Sequence, residues 1–585
     1  MKMKDFKKSN IKIGLVLLSI GLLSIVTSCS DFLDYNPKGK LSSEQLQAPE
    51  EADALVTAAY AAIGNDDWAY AFTHQWVIGS IRSDDAYKGG GSVPDQGEYD
   101  RFEQFYNIQV DQSRLDMLWR ALYEGVDRAN EALRRLEPVS ETDLPIKTIR
   151  QAEARFIRGH FYFLLKVLFK YPVWFDENFP KEELKSLGNR EYTNDQLWDK
   201  IAEDFQFAID NLPEDQPEVG RANAISAKAY LAKVRLYQAY EQNEQHAVVN
   251  ISQNRLEEVV DLTTDVINSG KYQLADDFAE NFLSEYNNLS ESVFAVQYSV
   301  DDGTPDGRVS KVTGLNYNMA SPYGCCDFHN PSQNMVNAFQ TDDSGLPLHE
   351  TFNEYLLNDY PDDFWENSVD PRLNHTVGIA GTPFKYDPEF IMTPEWRRAP
   401  HIYGTYSTMK EIVHYNDPTF RKHGAFHHSA LNIQLIRYAD VILWKAEALI
   451  ELGRHTEALP LINQIRERAA NSTNRLIFSD GSPISNYNVQ SYIDGVNCSW
   501  TQDYARRALR FERRLEFAME SPRFFDLVRW GIAAETLNQY FEDEREFGFD
   551  FLSEAQFTEG RDEYFPIPLR QIELTEGVYT QNYGW

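Results

Sequence analysis

The sequence AEALIELGRHTEALPLI, residues 446–462, holds two short segments with helical apolar spacing on either side of Gly453. Apolar residues recur there every three or four positions, which is typical of amphipathic helices. Ala446, Ala448 and Ala458 place small side chains where two such helices would cross. The stretch therefore predicts an antiparallel helix pair.

Two other parts of the chain show the same arrangement in a looser form, residues 227–240 with 256–272 and residues 114–136 with 149–169. Such pairs resemble the tetratricopeptide unit, which stacks on its neighbours because it cannot bury its apolar face alone. We therefore expect an all-α fold built on a tetratricopeptide-like helical repeat scaffold. The predicted helices cover residues 45–63, 114–136, 146–169, 195–211, 222–240, 255–268, 433–452, 457–470, 502–520 and 523–539.

The last predicted helix has a recognisable start. Pro522 suits the first helical position, and the Ser521 side chain before it can cap free backbone N–H groups. The pair predicts a sharp break between the last two helices.

The middle of the chain, residues 282–428, is rich in Gly, Pro, Asn, Asp and aromatic residues and has only short strand-like runs. Long irregular segments within a helical protein usually carry function. We interpret it as a large, loop-rich, partly irregular ligand-binding insertion. It divides the chain into a signal peptide (1–28), an N-terminal helical part (29–281), the insertion (282–428) and a C-terminal helical part (429–585), with residues 29–585 regarded as one compact body.

The N-terminus predicts export. Five lysines precede an apolar run over residues 13–26, which is shorter than the roughly 20 residues of a membrane-spanning helix. The run ends in Val26-Thr27-Ser28-Cys29 and resembles the lipobox of bacterial lipoproteins, in which the cysteine is acylated and becomes the first mature residue. We expect a lipid anchor at Cys29.

The charge of the chain restricts its ligands. The 585 residues include 56 Lys and Arg against 90 Asp and Glu, a net charge of −34. Residues 1–28 carry five lysines and one aspartate, so the remaining chain has a net charge of −38. A nucleic-acid-binding protein needs a basic surface, which this composition does not provide, and polyanions would be repelled. Neutral ligands are therefore favoured.

Several motifs lie in order along the mature chain, at residues 152–163, 227–234, 330–339, 370–373, 436–441, 446–448, 512–517, 523–530 and 565–568. In these motifs the chain resembles the SusD/RagB family of nutrient-binding outer-membrane lipoproteins of Bacteroidetes-type bacteria. The resemblance implies a tetratricopeptide scaffold with a loop-rich ligand face. It also implies a surface-exposed, lipid-anchored binding protein, not an enzyme, that captures oligosaccharides and delivers them to a SusC-like TonB-dependent transporter.

The candidate ligand-binding residues are argued from chemistry, because a neutral sugar needs a flat ring for its C–H face and planar polar groups for its hydroxyls. Such groups gather in three loop clusters: residues 64–70, residues 83–99, and residues 317–327 with 396–398 in the middle insertion. The run Gly89-Gly90-Gly91 predicts flexibility in the second cluster. The Ser83-Asp84-Asp85 run is open to a second interpretation as a structural turn. The candidates are Asn65, Asp67, Trp68, Asp85, Tyr87, Tyr99, Tyr323, Cys325, Cys326, Trp396 and Arg397.

Other signals in the sequence are weaker. Cys325 and Cys326 could form a vicinal disulfide, one of them could pair with Cys498, or all three could stay reduced. The cluster of His423, His427 and His428 lies in a loop context that does not favour zinc, and we expect no metal and no cofactor. Arg506, Arg507, Arg510, Arg513 and Arg514 share a predicted helix with glutamates, which favours a charge network over an anion site.

Two other functions remain open from the sequence. The same scaffold could bind peptides, or the chain could be a helical glycoside hydrolase. Pairs of carboxylates are too abundant here to identify catalytic residues, so none is assigned.

Overall fold

The computed structural model describes residues 49–64, 76–304, 307–358 and 360–585. The chain divides into two units, residues 1–52 and 53–585, and the account below concerns the second. The helices are α1 (Pro49–Ile63), α2 (Gly97–Gln104), α3 (Ser113–Leu136), α4 (Lys147–Phe169), α5 (Asn194–Asn211), α6 (Ala224–Ala239), α7 (Gln253–Asn268), α8 (Gln333–Ala338), α9 (Asp362–Glu366), α10 (Arg372–Thr376), α11 (Pro400–Tyr403), α12 (Tyr438–Glu451), α13 (His455–Asn471), α14 (Gln502–Phe517), α15 (Pro522–Trp530), α16 (Ala533–Glu546) and α17 (Leu569–Leu574). The strands are β1 (Ala86–Gly89), β2 (Tyr240–Gln242), β3 (Val248–Ile251), β4 (Ser292–Val296), β5 (Phe328–Pro331), β6 (Gln340–Thr341), β7 (Ser368–Val369), β8 (Val377–Gly378), β9 (Pro383–Phe384), β10 (Asp387–Ile391), β11 (Ser407–Thr408), β12 (Arg421–His423), β13 (Phe426–His428) and β14 (Ile433–Arg437).

The helices α3 to α7 form a stack in which each packs against the next along the chain. Helix α12 then packs against α7 and against α13, and α14 packs against both α12 and α13. The chain therefore leaves the stack after α7 and rejoins it at α12, with more than 160 residues inserted between neighbouring helices. This arrangement confirms the predicted all-helical, tetratricopeptide-like scaffold.

Small residues set the close spacing of the first helices. A Cβ on Gly125 of α3 would lie 2.3 Å from the Phe161 ring of α4. A Cβ on Gly159 of α4 would likewise lie 2.9 Å from the Phe205 ring of α5. Because α4 lies between α3 and α5, both of its faces are buried, and its continuous apolar sequence follows from that position.

Two helices of the stack begin at capping boxes. The Thr193 hydroxyl accepts a hydrogen bond from the backbone N–H of Gln196, and the Gln196 side chain binds back to the Thr193 backbone. Asn223 and Ser226 make the same reciprocal pair at the start of α6. These side chains satisfy N–H groups that a helix start leaves without partners, which fixes where α5 and α6 begin.

Three local predictions need correction. Residues 433–437, predicted to open a helix, form β14 instead and pair antiparallel with β4, so α12 begins only at Tyr438. The predicted final helix is broken at Gly531, whose positive φ of 71° ends α15 before α16 starts. Pro522 does begin α15, but Ser521 has a φ of 82° and caps nothing, and its hydroxyl lies 3.0 Å from the hydroxyl of Ser80.

The inserted segment is held by short ladders. In the described part of the chain the strands form two-stranded antiparallel sheets. The β4–β14 ladder stands where the insertion leaves and rejoins the helices, and β1 pairs with β5 so that Tyr87 lies opposite Asn330. The boundaries 282 and 428, and the division of the chain at them, stay a prediction.

Candidate ligand-binding site

The inserted segment has a small hydrophobic core of its own, separate from the main core of the helices. Five half-buried aromatic side chains pack against this second core, namely Tyr386, Phe390, Trp396, Tyr415 and Phe420. The second core therefore holds aromatic rings at the surface without burying them. Its fully buried members are Tyr317, Ala320, Tyr323, Phe384, Met392, Met409 and Ile412.

Three of these rings, Phe390, Trp396 and Tyr415, form a contiguous patch together with His414, and we call these four residues the aromatic face. The Phe390 ring centroid lies 4.5 Å from that of Trp396 and 5.0 Å from that of Tyr415. His414 lies 4.2 Å from Tyr415. The Phe390 ring is tilted by 39° to Trp396 and stands at 73° to Tyr415, so the patch offers several separate ring faces, on each of which the C–H face of a sugar can stack.

The aromatic face is built from three short elements. Phe390 lies on β10, which pairs with β9, and Trp396 ends a single 3₁₀ turn over Pro394–Trp396. His414 and Tyr415 follow β11 in an irregular segment. The ring of Phe384 on β9 lies below, 5.5 Å from Trp396, so a strand pair positions two of the rings.

A polar group adjoins the rings at His414. Its Nε2 lies 3.2 Å from the Asp387 carboxylate. Burial lowers the pKa of His414, and this outweighs the opposite effect of Asp387. The imidazole is therefore mainly neutral near pH 7 and offers a hydrogen-bonding group without a positive charge.

A buried ion pair joins Arg397, directly after Trp396, to the loop that contains Cys325 and Cys326. The Arg397 Nε lies 3.0 Å from both carboxylate oxygens of Asp327, and the backbone N–H of Arg398 donates to the same carboxylate at 2.7 Å. Cys325 and Cys326, directly before Asp327, form a vicinal disulfide. Of the three arrangements left open by the sequence, the structure has this one, with Cys498 free.

An exposed cation, Arg398, follows Trp396 by two residues. Arg398 is 40% exposed, and its Nη1 lies 3.0 Å from the Asp95 carboxylate, which is itself partly exposed. A Cβ on Gly91 would lie 2.9 Å from the Arg398 guanidinium. The guanidinium and carboxylate are planar groups suited to neighbouring hydroxyls of a sugar.

The Gly89–Gly91 run is not a free loop, contrary to the flexibility predicted for it. The N–H of Gly90 donates to the Asp327 carbonyl at 2.7 Å, directly beyond the β1–β5 ladder. Gly89 has a φ of 77°, and a Cβ there would lie 2.5 Å from the same carbonyl oxygen. The glycines are needed for this close approach of two backbones.

Three predicted ligand residues of the stretch 83–99 are buried, which corrects the prediction that they contact a ligand. Asp85 is wholly buried and lies 3.2 Å from the Arg514 guanidinium. Tyr87 is 1% exposed, and its hydroxyl donates to the Glu544 carboxylate. Tyr99 is equally buried, with its ring edge-on to Trp76. These side chains face the interior, because the segment crosses the molecule between α14 and α16 and does not run along its surface.

The predicted residues of the insertion divide in two. Tyr323, Cys326 and Arg397 are buried: the Tyr323 hydroxyl donates to the Val413 carbonyl, and Arg397 is held by Asp327. These three support the surface from below and do not form it. Trp396 and Cys325 are half-buried and remain available to a ligand.

The other predicted positions lie outside the described residues. Asn65, Asp67 and Trp68, as well as the predicted lipid attachment at Cys29, fall among them. Their roles stay predictions.

Sequence reasoning missed Phe390, His414 and Tyr415, and it placed Arg398 in the stretch 396–398 without choosing it as a candidate. His414-Tyr415 is a pair of adjacent rings within the turn-rich insertion, which could have drawn attention to it. Phe390 carried no comparable signal, because its place on the surface depends on the pairing of β9 with β10.

The arginines of α14 belong to the predicted charge network. Arg513 pairs with Asp526 at 2.8 Å, and Arg514 pairs with Asp84 and Asp85, all of them buried. Arg506 pairs with Glu451 nearer the surface. These contacts leave the buried guanidinium groups to the scaffold and favour the structural interpretation of the Ser83-Asp84-Asp85 run.

The histidine cluster forms a hairpin in the structure. His423 and His427 lie on the paired strands β12 and β13, joined across Gly424. Within the described ranges, no three His, Cys, Asp or Glu side chains gather as a metal site would require. None of the helices in those ranges is long and apolar enough to cross a bilayer.

Comparison with known proteins places this architecture in a family. A sequence profile described as "SusD family" matches residues 290–585, and a second, described as "Starch-binding associating with outer membrane", matches residues 31–236. The chain belongs to the SusD family. Members of the SusD family are carbohydrate-binding proteins and not enzymes, which excludes the glycoside hydrolase alternative.

Individual members of the SusD family resemble the chain over almost all of its length. SusD-like protein P38 of Formosa agariphila is 26% identical over 543 residues, 92% of this chain and 94% of that protein. A SusD homolog of Bacteroides thetaiotaomicron has the same fold, with a TM-score of 0.69 at 21% identity over 93% of this chain and 99% of that one. Surface glycan-binding protein A of Bacteroides thetaiotaomicron, solved in complex with laminarihexaose, gives a TM-score of 0.62 at 20% identity over 91% of this chain and 99% of that one.

Proposed function

We propose that this SusD-family protein is a lipid-anchored protein of the outer-membrane surface that captures a neutral oligosaccharide on the aromatic face. It then delivers the oligosaccharide to a SusC-like TonB-dependent transporter. The observation that carries the proposal is the aromatic face itself, in which Phe390 contacts both Trp396 and Tyr415 over the second core.

The composition of the site supports a sugar ligand. The rings offer a stacking surface, and Asp387, His414, Asp95 and Arg398 add polar groups. The Arg397–Asp327 pair below keeps the site in one shape before a ligand arrives, which reduces the entropy lost on binding. A relative of the same fold was solved with laminarihexaose, a neutral glucan fragment.

The charge of the chain supports a neutral ligand over an acidic one. The net charge of −38 without residues 1–28 repels polyanions over distances comparable to the Debye length, about 8 Å at physiological ionic strength. Arg398 is already paired with Asp95. An acidic polysaccharide would therefore gain little from it.

Anchoring and delivery follow from the N-terminus and the family. A lipobox-like sequence ends at Cys29, and the second matching profile is described as associating with the outer membrane. Each CH₂ of an acyl chain buried in lipid contributes about 0.8 kcal/mol, so several chains would hold the protein on the membrane. Labelling with radioactive palmitate, lost in a Cys29→Ala variant, would test the anchor, and co-purification with a transporter would test the partner.

The binding test compares two tryptophans. The full-length chain, purified in mild detergent, is run in native gels that contain laminarin, xyloglucan, soluble starch or an acidic polysaccharide. Trp396→Ala should abolish retardation by a neutral polymer and weaken binding of its oligosaccharide at least tenfold in calorimetry. Trp365→Ala is the matched control, because Trp365 on α9 is 44% exposed and lies outside the aromatic face.

Each outcome decides a part of the proposal. Retardation by a neutral polymer that Trp396→Ala removes and Trp365→Ala preserves supports the glycan and the site together. Retardation that survives Trp396→Ala keeps the function and moves the site elsewhere. If no polysaccharide retards the wild-type protein while peptides co-purify with it, the ligand is a peptide, the alternative that the scaffold allows.

A further inference from the structure

A second cleft lies on the helical scaffold, away from the inserted segment. It is an open cavity of about 990 Å³, which we call the C-terminal cleft. Its walls come from residues 190–195 at the start of α5, from the β2–β3 hairpin and from residues 580–583 near the end of the chain. It shares no lining residue with the aromatic face.

The walls of the C-terminal cleft are fixed to one another. The Asn189 side chain donates to the Thr580 carbonyl at 2.9 Å and accepts from the Thr580 N–H at 2.8 Å. Arg190 Nη2 donates to the Gln581 carbonyl at 3.1 Å, and the Asn582 amide donates to the Phe169 carbonyl at 2.8 Å. Residues 580–582 are therefore hydrogen-bonded to Phe169, Asn189 and Arg190. The cavity between them exists before any ligand enters it.

Aromatic rings line the C-terminal cleft at two depths. At its base the Arg190 guanidinium carbon lies 3.5 Å from the centroid of the Tyr171 ring, and Trp198 is nearly buried. At its rim Tyr583 is 51% exposed and Tyr192 is half-buried. Tyrosines that expose so much ring beside a cavity offer the same stacking surface that a sugar requires.

The polar groups of the cleft suit hydroxyl groups. The Glu244 carboxylate accepts from the Tyr171 hydroxyl and lies 3.3 Å from Arg190 Nη1, yet it is 61% exposed. Arg190 Nε is buried and has no hydrogen-bond partner within the described part of the chain. Exposed carboxylates of Asp195 and Glu241 stand nearby. Sugar hydroxyls can donate to such carboxylates, and Arg190 can donate to a sugar oxygen.

We propose that the C-terminal cleft is a second binding site for a segment of neutral glycan. Its volume lies at the upper end of the range of about 300–1,000 Å³ for small-molecule sites, enough for a short oligosaccharide. The excess of carboxylates over Arg190 disfavours anionic ligands, and the exposed rings favour a sugar over a basic peptide. The inference rests on the proposed function, because it takes the ligand to be the neutral glycan of the aromatic face.

A second site changes how the protein holds a long polymer. When one segment is bound at one site, the other site meets the same chain at a high effective concentration. Polymer affinity then exceeds oligosaccharide affinity without any new contact at the aromatic face. A protein with one site would show no such difference beyond statistical effects.

The test uses the full-length chain in detergent and the neutral polysaccharide that retards it most, together with the hexasaccharide of that polymer. Calorimetry with the hexasaccharide should give two sites per chain, of which Trp396→Ala removes one. Tyr583→Ala should remove the other and weaken polymer retardation at least threefold. Tyr355→Ala is the control, because Tyr355 is 43% exposed and lies outside both sites.

The outcomes separate this inference from the proposed function. One site that Trp396→Ala abolishes and Tyr583→Ala leaves unchanged overturns the second site and keeps the first. Binding that survives Trp396→Ala but is lost in Tyr583→Ala supports the C-terminal cleft and removes the aromatic face from the function. Binding of a basic peptide, and not the hexasaccharide, in a Tyr583-dependent manner overturns the glycan assignment of the cleft. If the wild-type protein binds no neutral glycan, both proposals fall.

Discussion

The aromatic face and the buried ion pairs between the insertion and α14 use side chains in opposite ways. At the ion pairs, Arg372 lies 2.7 Å from Glu512 and 3.1 Å from Glu516, and Arg437 lies 2.9 Å from Glu516. These side chains are at most 1% exposed and take each other as partners. At the aromatic face the rings are half-buried and stay partly exposed to solvent.

The contrast shows why the family motifs do not identify the ligand. Asp370, Arg372, Arg437, Glu512 and Glu516 all lie in the motifs that carry the family resemblance, and all are consumed by contacts within the chain. They fasten the insertion to α12 and α14. The rings that remain free for a sugar lie between these motifs, in segments without a helical pattern.

The largest expected effect is the loss of stability when the buried ion pairs are disturbed. Burial raises the pKa of Glu516, but Arg468, Arg437 and Arg372 outweigh it and hold the pKa far below its ordinary value. Glu516→Gln removes the charge and leaves three guanidinium groups short of a partner. We expect a loss of about 3–5 kcal/mol in the free energy of unfolding, measured with denaturant.

Glu124→Gln is the control for Glu516→Gln. Glu124 forms a surface pair with Arg128 at 2.6 Å and is 50% exposed. Such pairs contribute less than about 1 kcal/mol, so the two variants should differ by several-fold. An equal loss in both would mean that the buried pairs do not hold the insertion in place.

A smaller effect is expected at Tyr87, the predicted ligand residue that the structure assigns to the scaffold. Its hydroxyl donates to Glu544 and accepts from the Gln333 N–H at 3.0 Å. Tyr87→Phe leaves both groups without this partner, which should cost about 1–3 kcal/mol of stability. Glycan affinity should stay within twofold of wild type, measured by calorimetry at a temperature where both proteins are folded.

The result for Tyr87→Phe can break the comparison. A tenfold loss of affinity with unchanged stability would return Tyr87 to the binding site, as the sequence predicted. Loss of stability with intact binding would show that Tyr87 supports the scaffold and does not bind the ligand.

The helical scaffold was predictable because its signals are local. Apolar spacing and small residues gave α3 to α7, α13 and α14 close to their observed bounds, and Pro522 gave the start of α15. The error at residues 433–437 arose because Ile433, Leu435 and Ile436 continue the apolar pattern of α12. Only the distant partner β4 makes that segment a strand.

The site was predictable only in part, because exposure depends on contacts distant in sequence. Tyr87 and Trp396 look alike as aromatic residues beside charges in a loop. Tyr87 is buried by Phe549 and Phe551, more than 400 residues away, whereas Trp396 makes its ring contacts with Phe384 and Phe390 of its own segment. No pattern near either residue distinguishes the two cases.

Per pH unit, the smallest expected effect is a pH dependence of stability at Glu544, which belongs to the scaffold. Burial raises the pKa of Glu544 to about 8, although the Tyr87 hydroxyl and the Asn334 N–H lower it. An acid whose folded pKa lies above its unfolded value stabilises the fold fully below the unfolded pKa and loses that contribution as pH rises towards 8. Between about pH 4.5 and pH 8 this carboxyl should therefore lower the unfolding free energy by at most about 1.4 kcal/mol per pH unit.

Glu544→Gln cannot titrate, so its stability measured by denaturant unfolding should decline less steeply across this range, while its glycan affinity at pH 7 stays unchanged. Parallel pH curves for the two proteins would show that Glu544 is ionised in the folded state, and that the site of Tyr87 is more hydrated than a scaffold position should be.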